Sequence, residues 1–94
     1  MFIITLKFAD KSKAPEHMPA HNAWIAEGFQ TGHFKVVGSL APNAGGALIA
    51  TASSKDEIEA IVAKDPFVEH GVVSAEIIEI SPNKFADGLE PFFT

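Results

Sequence analysis

Two spacings of hydrophobic residues occur in this chain, one typical of β-strands and one typical of α-helices. The order in which they occur predicts the fold. Alternation of side chains with period two predicts a β-strand, and apolar residues three or four apart predict one face of a helix. The chain shows alternation or β-branched runs in four places, at residues 2–8, 34–40, 47–52 and 72–80. Helical spacing occurs in two places, near residues 19–30 and 54–64. The predicted order is therefore β-α-β-β-α-β.

Proline and a capping pattern set the predicted helix ends. Pro19 suits the first turn of a helix, where its missing N–H costs nothing, so His17 is expected to precede the first helix. Ser54 and Glu57 match a capping box, in which each side chain accepts a hydrogen bond from the other residue's backbone N–H. The second helix is expected to stop at Asp65-Pro66, because proline pushes the residue before it out of the helical region.

This order predicts an α+β fold of the ferredoxin-like type, with a four-stranded antiparallel sheet and both helices on one face. The second and third strands are predicted to form a hairpin, and the second strand to carry Phe34, Val36, Gly38 and Leu40 on one side. One helical layer leaves the apolar side chains of the other sheet face uncovered, so we expect a homodimer or a larger homo-oligomer. The predicted domain covers residues 1–80, and residues 81–94 form an irregular tail.

The charge and composition exclude several functional classes. The chain of 94 residues has 7 lysines, no arginine, 12 acidic residues and a net charge of −5, so it is poorly suited to nucleic acid or to a strongly anionic substrate. It has no cysteine, which excludes disulfides, thiolate nucleophiles and cysteine zinc sites. No apolar run approaches membrane-spanning length, and the first ten residues lack a signal-peptide pattern. We therefore expect a cytoplasmic protein that binds a small neutral or weakly acidic molecule.

His21 is the histidine with the most informative position, because Trp24, Ile25 and Gly28 follow it on the same predicted helix face. One interpretation is a core or interface histidine that is satisfied by a backbone carbonyl. The other is a general base whose second ring nitrogen is held by a carboxylate. Spacing alone leaves both open, as it does for Asp65, since Asp-Pro is also common in turns.

The remaining histidines give weaker signals. His17 and His21 are four residues apart, but no third ligand stands at a suitable spacing, so we expect neither a metal nor another cofactor. His33 and His70 flank predicted strands and are expected to be solvated.

Two segments together resemble the YciI-like (YCII-related) family over roughly residues 1–80: HNAWIAEGFQTGHFKVVGSL, and later DPFVEHGVV. Members carry a histidine in an H-x-A-[YW]-[IL]-like run, a glycine near the end of that helix, an A-G-P-L-like second strand and a D-P-F-x-x-x-G-like segment. Ser39 stands here in place of the proline of the second strand. The arginine that members often carry shortly before the histidine is absent from residues 16–20.

The resemblance implies a subunit that pairs through its sheet into a dimeric α+β barrel, with His21 and Asp65 as its acid–base pair. It also implies a cofactor-free lyase, a dehydrochlorinase that eliminates chloride from a chlorinated hydroxyquinol during aromatic compound degradation. On this interpretation Ser39 binds a ring hydroxyl, Trp24 forms an apolar wall beside the ring, and His17 is a further substrate contact. Two alternatives stay open: a non-catalytic small-molecule-binding or oligomerisation module, and an isomerase of the muconolactone type.

Overall fold

The structure, a computed structural model, describes residues 1–93, so Thr94 of the predicted tail lies outside the described residues. Two single-turn 3₁₀ helices lie at Lys11–Lys13 and Glu90–Phe92. Within residues 1–93 there are four strands and three α-helices. The strands are β1 (Phe2–Phe8), β2 (Phe34–Leu40), β3 (Gly45–Ala50) and β4 (Val73–Glu79), and the helices are α1 (Ala14–Gln30), α2 (Lys55–Ala63) and α3 (Pro66–Glu69).

The four strands form one antiparallel sheet in the order β2-β3-β1-β4. Strands β2 and β3 are joined as a hairpin, whereas the connections through α1 and α2 each pass over an intervening strand. The predicted ferredoxin-like α+β fold is therefore confirmed. None of the helices in the described part of the chain is long and apolar enough to cross a membrane.

The register of the strands separates a buried sheet face from an open one. Ile4 pairs with Leu48 on one side and Ile77 on the other, and this face packs against the helices. The neighbouring position, Ile3, pairs with Ile49 and Ile78 on the opposite face. We call the apolar side of the sheet that faces away from the helices the open sheet face; it is formed by Ile3, Val36, Ile49 and Ile78.

A β-bulge in β2 places side chains on opposite faces of the sheet that were predicted to share one face. The register shifts between Phe34 and Val36, so Phe34 pairs with Ala50 on the helix side while Val36 pairs with Ile49 on the open sheet face. Uninterrupted alternation would have placed Phe34 and Val36 on the same side, and that prediction is wrong.

The buried Phe34 ring fits beneath α1 only because residue 28 is glycine. A Cβ atom at Gly28 would lie 2.0 Å from the Phe34 ring. The glycine near the end of α1 is therefore required by close packing of the helix on β2.

The first helix begins five residues earlier than predicted. Pro15 occupies the first turn, and Pro19 lies inside α1. There it removes one helical hydrogen bond, to the carbonyl of residue 15, and the helix continues through it. The prediction that His17 precedes the helix is therefore wrong, since His17 lies on α1 itself.

The capping box of α2 forms in a modified way. The Ser54 hydroxyl accepts from the Glu57 backbone N–H at 3.1 Å, as predicted. The Glu57 carboxylate, however, accepts from the Ser53 N–H and hydroxyl, at 3.2 and 3.0 Å, rather than from Ser54. Helix α2 ends at Ala63, and Asp65 then caps the separate short helix α3.

Candidate active site

Asp65 occupies a fully buried position between α2 and α3. Proline at residue 66 disfavours helical backbone at the residue before it, and Asp65 adopts extended backbone with φ −61° and ψ 122°. This conformation makes it the N-cap of α3, where its Oδ1 accepts a hydrogen bond from the Phe67 backbone N–H at 3.0 Å. The same turn aims the carboxylate at α1.

His21 meets this carboxylate from α1. The distance between His21 Nδ1 and Asp65 Oδ1 is 2.7 Å, and the imidazole side chain is 12% exposed. An ionised carboxylate only accepts hydrogen bonds, so Nδ1 carries the proton and donates it to Oδ1. Within residues 1–93 the Nε2 atom has no hydrogen-bond partner, which leaves its lone pair free for a ligand.

The second carboxylate oxygen of Asp65 is also unusual. Oδ2 is buried and has no hydrogen-bond partner among the described residues. A buried charge is costly unless it is paired, so the contact with His21 is the main side-chain compensation for this carboxylate.

Two aromatic rings fix the plane of the imidazole. Phe67 stacks on His21 with ring centroids 3.9 Å apart and an interplanar angle of 4°, and Trp24 lies 5.9 Å away at 25°. Trp24 donates its Nε1–H to the Ile61 carbonyl at 3.0 Å, so it offers a ligand only its apolar ring. The sequence patterns did not indicate a role for Phe67, although it follows Asp65-Pro66 directly.

A pocket of about 320 Å³ opens beside His21, between α1 and the sheet. Of the predicted site residues, His21, Trp24 and Ser39 line it. Ser39 pairs with Gly46 on the helix side of the sheet, which turns its side chain toward the pocket. No lysine, aspartate or glutamate lies among the lining residues, and the apolar walls come from Leu6, Phe8, Met18, Ile25, Val37, Leu48, Phe67 and Val73.

His17 does not line this pocket. Its ring stacks on His70, the residue that follows α3, with centroids 4.0 Å apart and an interplanar angle of 6°, and its Nε2 lies 3.9 Å from the Glu16 carboxylate. Within residues 1–93, no three histidine, aspartate or glutamate side chains converge as metal ligands. Because His17 stacks on His70 and does not line the pocket, it lies apart from the His21–Asp65 pair.

His33 belongs to the network at the N-terminus of α2 rather than to the pocket. Its Nδ1 lies 2.8 Å from the Thr31 hydroxyl and its Nε2 lies 3.2 Å from Glu57 Oε1, and its side chain is 29% exposed, so the predicted solvated histidine is partly solvated and also hydrogen-bonded within the protein. The backbone N–H and hydroxyl of Ser53 hold the pKa of the Glu57 carboxyl below its usual value, and His33 lowers it further.

Comparison with known proteins identifies the family of this chain and a solved structure to which it is similar. The profile of the YCII-related domain matches residues 1–81, and the search of curated proteins gave no match. Among solved structures, the chain is similar to 5-chloro-2-hydroxyhydroquinone dehydrochlorinase (TftG) from Burkholderia phenoliruptrix AC1100, in complex with 2,5-dihydroxybenzoquinone. The TM-score is 0.71 at 19% identity, and the match covers 88% of this chain and 96% of TftG. The similarity to TftG establishes a shared fold.

Proposed function

Because the chain belongs to the YCII-related domain family, we propose that it is a cofactor-free lyase that eliminates chloride from a chlorinated hydroxyquinol. The observation that carries the proposal is the 2.7 Å hydrogen bond between His21 Nδ1 and Asp65 Oδ1 at the wall of an apolar pocket. The fold shared with TftG, whose name and bound quinone specify this chemistry for that protein, supports the choice of substrate class.

His21 acts as the general base through Nε2, the ring nitrogen that Asp65 leaves free. The carboxylate holds the imidazole in the required tautomer and stabilises the imidazolium that forms after proton transfer. Phe67, stacked on the ring, restricts rotation of the imidazole out of this plane. Acid–base catalysis by a positioned side chain supplies about 10²–10⁴-fold. A rate enhancement of this size suits a substrate that is already activated, such as an electron-rich hydroxylated ring.

The proposed reaction proceeds in two stages. In the first, a ring hydroxyl transfers its proton to His21 Nε2, and the imidazolium then delivers a proton to the carbon that bears chlorine, giving a keto tautomer. In the second, the hydroxyl para to the new carbonyl loses its proton. As that electron pair enters the ring, the C–Cl bond breaks and chloride leaves with the bonding electrons. The products are a hydroxyquinone, chloride and one proton, so the reaction needs no external oxidant.

The lining of the pocket favours this substrate over that of a muconolactone-type isomerase. Muconolactone carries a carboxylate, which proteins usually bind with arginine or lysine. The pocket is lined by no lysine, and the chain contains no arginine. A hydroxylated ring needs only hydrogen bonds and apolar walls, which Ser39 and Trp24 offer. We assign Ser39 to a ring hydroxyl and Trp24 to the face of the ring.

The free Nε2 of His21 favours catalysis over a purely structural role for the pair. A structural bridge needs only the Nδ1 bond, whereas a general base also needs a second ring nitrogen that a ligand can reach. Here Nδ1 is bonded, while Nε2 has no partner in the described part of the chain and the residue lines the pocket.

We further propose that the protein forms a homodimer through the open sheet face. Val36 is 51% exposed and Ile78 is 43% exposed on that face, so a contiguous apolar surface remains uncovered in the single chain. Sheet-to-sheet pairing of two copies would produce the dimeric α+β barrel that the family resemblance implies.

The test is chloride release and quinone absorbance with 5-chloro-2-hydroxyhydroquinone as substrate. We expect the wild type to release one chloride per quinone formed and His21→Ala to lose at least about 100-fold in kcat. The matched control is His70→Ala, a histidine 47% exposed that does not line the pocket, which should keep wild-type turnover. Folded wild type that releases no chloride would refute this substrate class, and His21→Ala with wild-type turnover would refute the base.

A further inference from the structure

The pocket beside His21 contains one more polar side chain to which the proposed mechanism gives no role. Three polar side chains line it, His21, Asn22 and Ser39, and its other lining residues are apolar or glycine. In an apolar pocket the few polar groups fix the orientation of the ligand and distinguish it from relatives. Asn22 is therefore a candidate for ligand orientation.

The periodicity of α1 places Asn22 beside the proposed base. Met18, His21, Asn22 and Ile25 follow the i, i+3, i+4, i+7 spacing of one helix face, and all four line the pocket. Trp24 belongs to the neighbouring stripe, which is buried in the core. A ligand oxygen next to the one that contacts His21 would therefore face Asn22.

The amide of Asn22 is available for a ligand. The side chain is exposed on α1, and no other group in residues 1–93 forms a hydrogen bond with it. Its carboxamide offers both an N–H donor and a carbonyl acceptor. This dual character matches a substrate whose ring oxygens change from hydroxyl donors to carbonyl acceptors as a quinol becomes a quinone.

We propose that Asn22 is a substrate-binding residue that holds a ring oxygen through the reaction, accepting from it as a hydroxyl and donating to it as a carbonyl. The inference rests on the proposed quinol substrate. It assigns Asn22 to recognition, leaving proton transfer to His21.

The experiment measures the affinity of two probes by quenching of Trp24 fluorescence, corrected for ligand absorbance. Trp24 is the only tryptophan, the chain has no tyrosine, and Trp24 lines the pocket. The probes are benzene-1,2,4-triol under anaerobic conditions, whose ring oxygens are all hydroxyls, and 1,4-benzoquinone, whose ring oxygens are all carbonyls. Asn22→Ala should raise the Kd of both by about 3- to 10-fold, the effect of one neutral hydrogen bond. Gln30→Ala, an exposed amide on the same helix, is the matched control and should leave both Kd values unchanged.

Asn22→Asp separates the two roles of the amide. A carboxylate can accept from a hydroxyl but cannot donate to a carbonyl oxygen, so this variant should weaken binding of the quinone at least about 10-fold while affinity for the triol stays near that of the wild type. Equal Kd values for wild type and Asn22→Ala would overturn the role of Asn22 alone. Wild type that binds neither probe would overturn the proposed substrate class and this inference together.

Discussion

Replacement of Asp65 by asparagine tests the electrostatic part of the mechanism with a minimal change of shape. The Asp65 Oδ1 atom accepts from His21 Nδ1 and from the Phe67 N–H, while Oδ2 is buried without a partner in the described residues. An asparagine oxygen at the Oδ1 position can keep both bonds. Its NH₂ group then occupies the place of Oδ2, where no acceptor is available, at a cost of about 1–3 kcal/mol in the free energy of unfolding.

The catalytic loss in this variant should be much larger than the structural one. Asparagine remains a good N-cap, so α3 should still form. The negative charge that stabilises the imidazolium is lost, however, and the alternative flip of the amide would force the wrong imidazole tautomer. We expect kcat to fall about 10²–10⁴-fold. KM should change little, because Asp65 does not line the pocket.

The assay combines steady-state chloride release with ¹⁵N chemical shifts of the His21 ring. Wild type should show a protonated Nδ1 in the neutral ring, and Asp65→Asn should show a lower kcat at nearly unchanged KM. Asp56→Asn, an exposed residue in the first turn of α2, is the matched control and should behave as wild type. A kcat for Asp65→Asn within about threefold of wild type would refute the reasoning, since catalysis of this type requires the carboxylate.

Three further predictions concern packing, assembly and pH. Gly28→Ala places a Cβ atom 2.0 Å from the buried Phe34 ring, so urea denaturation should show a loss of about 1–3 kcal/mol even though alanine favours a helix. Val36→Asp puts a charge on the open sheet face and should convert a dimer to monomers in size-exclusion chromatography with light scattering. The pKa of Glu57 is lowered in the folded protein, so its ionised carboxylate stabilises the fold above the usual glutamate pKa of about 4.3. Glu57→Gln should therefore lower the free energy of unfolding above about pH 4.3. That difference should disappear as the pH falls through the lowered pKa of Glu57 in the folded protein.

Each of these predictions has a control in the chain. Ala23→Gly, at an exposed site on α1, measures the helix propensity difference without the Phe34 contact. Ala26→Asp introduces the same side chain at an exposed site on α1, away from the open sheet face. Glu59→Gln removes an exposed carboxylate of α2 that caps nothing. A stable Gly28→Ala, a dimeric Val36→Asp or a Glu57→Gln curve parallel to wild type at every pH would contradict the corresponding argument.

The order of strands and helices was predictable from sequence because each hydrophobic pattern is local and identifies one strand or one helix. The alternation in residues 2–8 and the helical spacing after residue 54 required no knowledge of distant contacts. Sidedness was predictable only where a strand is uninterrupted, and the bulge after Phe34 shifted its side chain to the other face. The start of α1 was predicted too late because Pro15 and Pro19 both suit a first turn, and packing of the helix decides between them.

The candidate site is formed by contacts between residues far apart in sequence, and the spacing of hydrophobic residues gives no information about such contacts. His21 and Asp65 are 44 residues apart, and only the family resemblance linked them before the structure placed their side chains together. His17 stacks on His70, the residue that follows α3, and does not line the pocket, although the sequence analysis predicted it to contact the substrate. Asn22 gave no signal, because a lone polar residue on a helix is usually a solvated one.

Chemical rescue with free imidazole tests whether His21 transfers protons beside Asp65. His21→Ala should leave a space next to Phe67 and Asp65 that free imidazole can enter. We predict that His21→Ala releases chloride very slowly and that added imidazole restores part of the rate in a saturable manner. The double variant His21→Ala, Asp65→Asn should respond much less. Chloride release by His21→Ala at the wild-type rate, or a rate that imidazole leaves unchanged, would contradict the account.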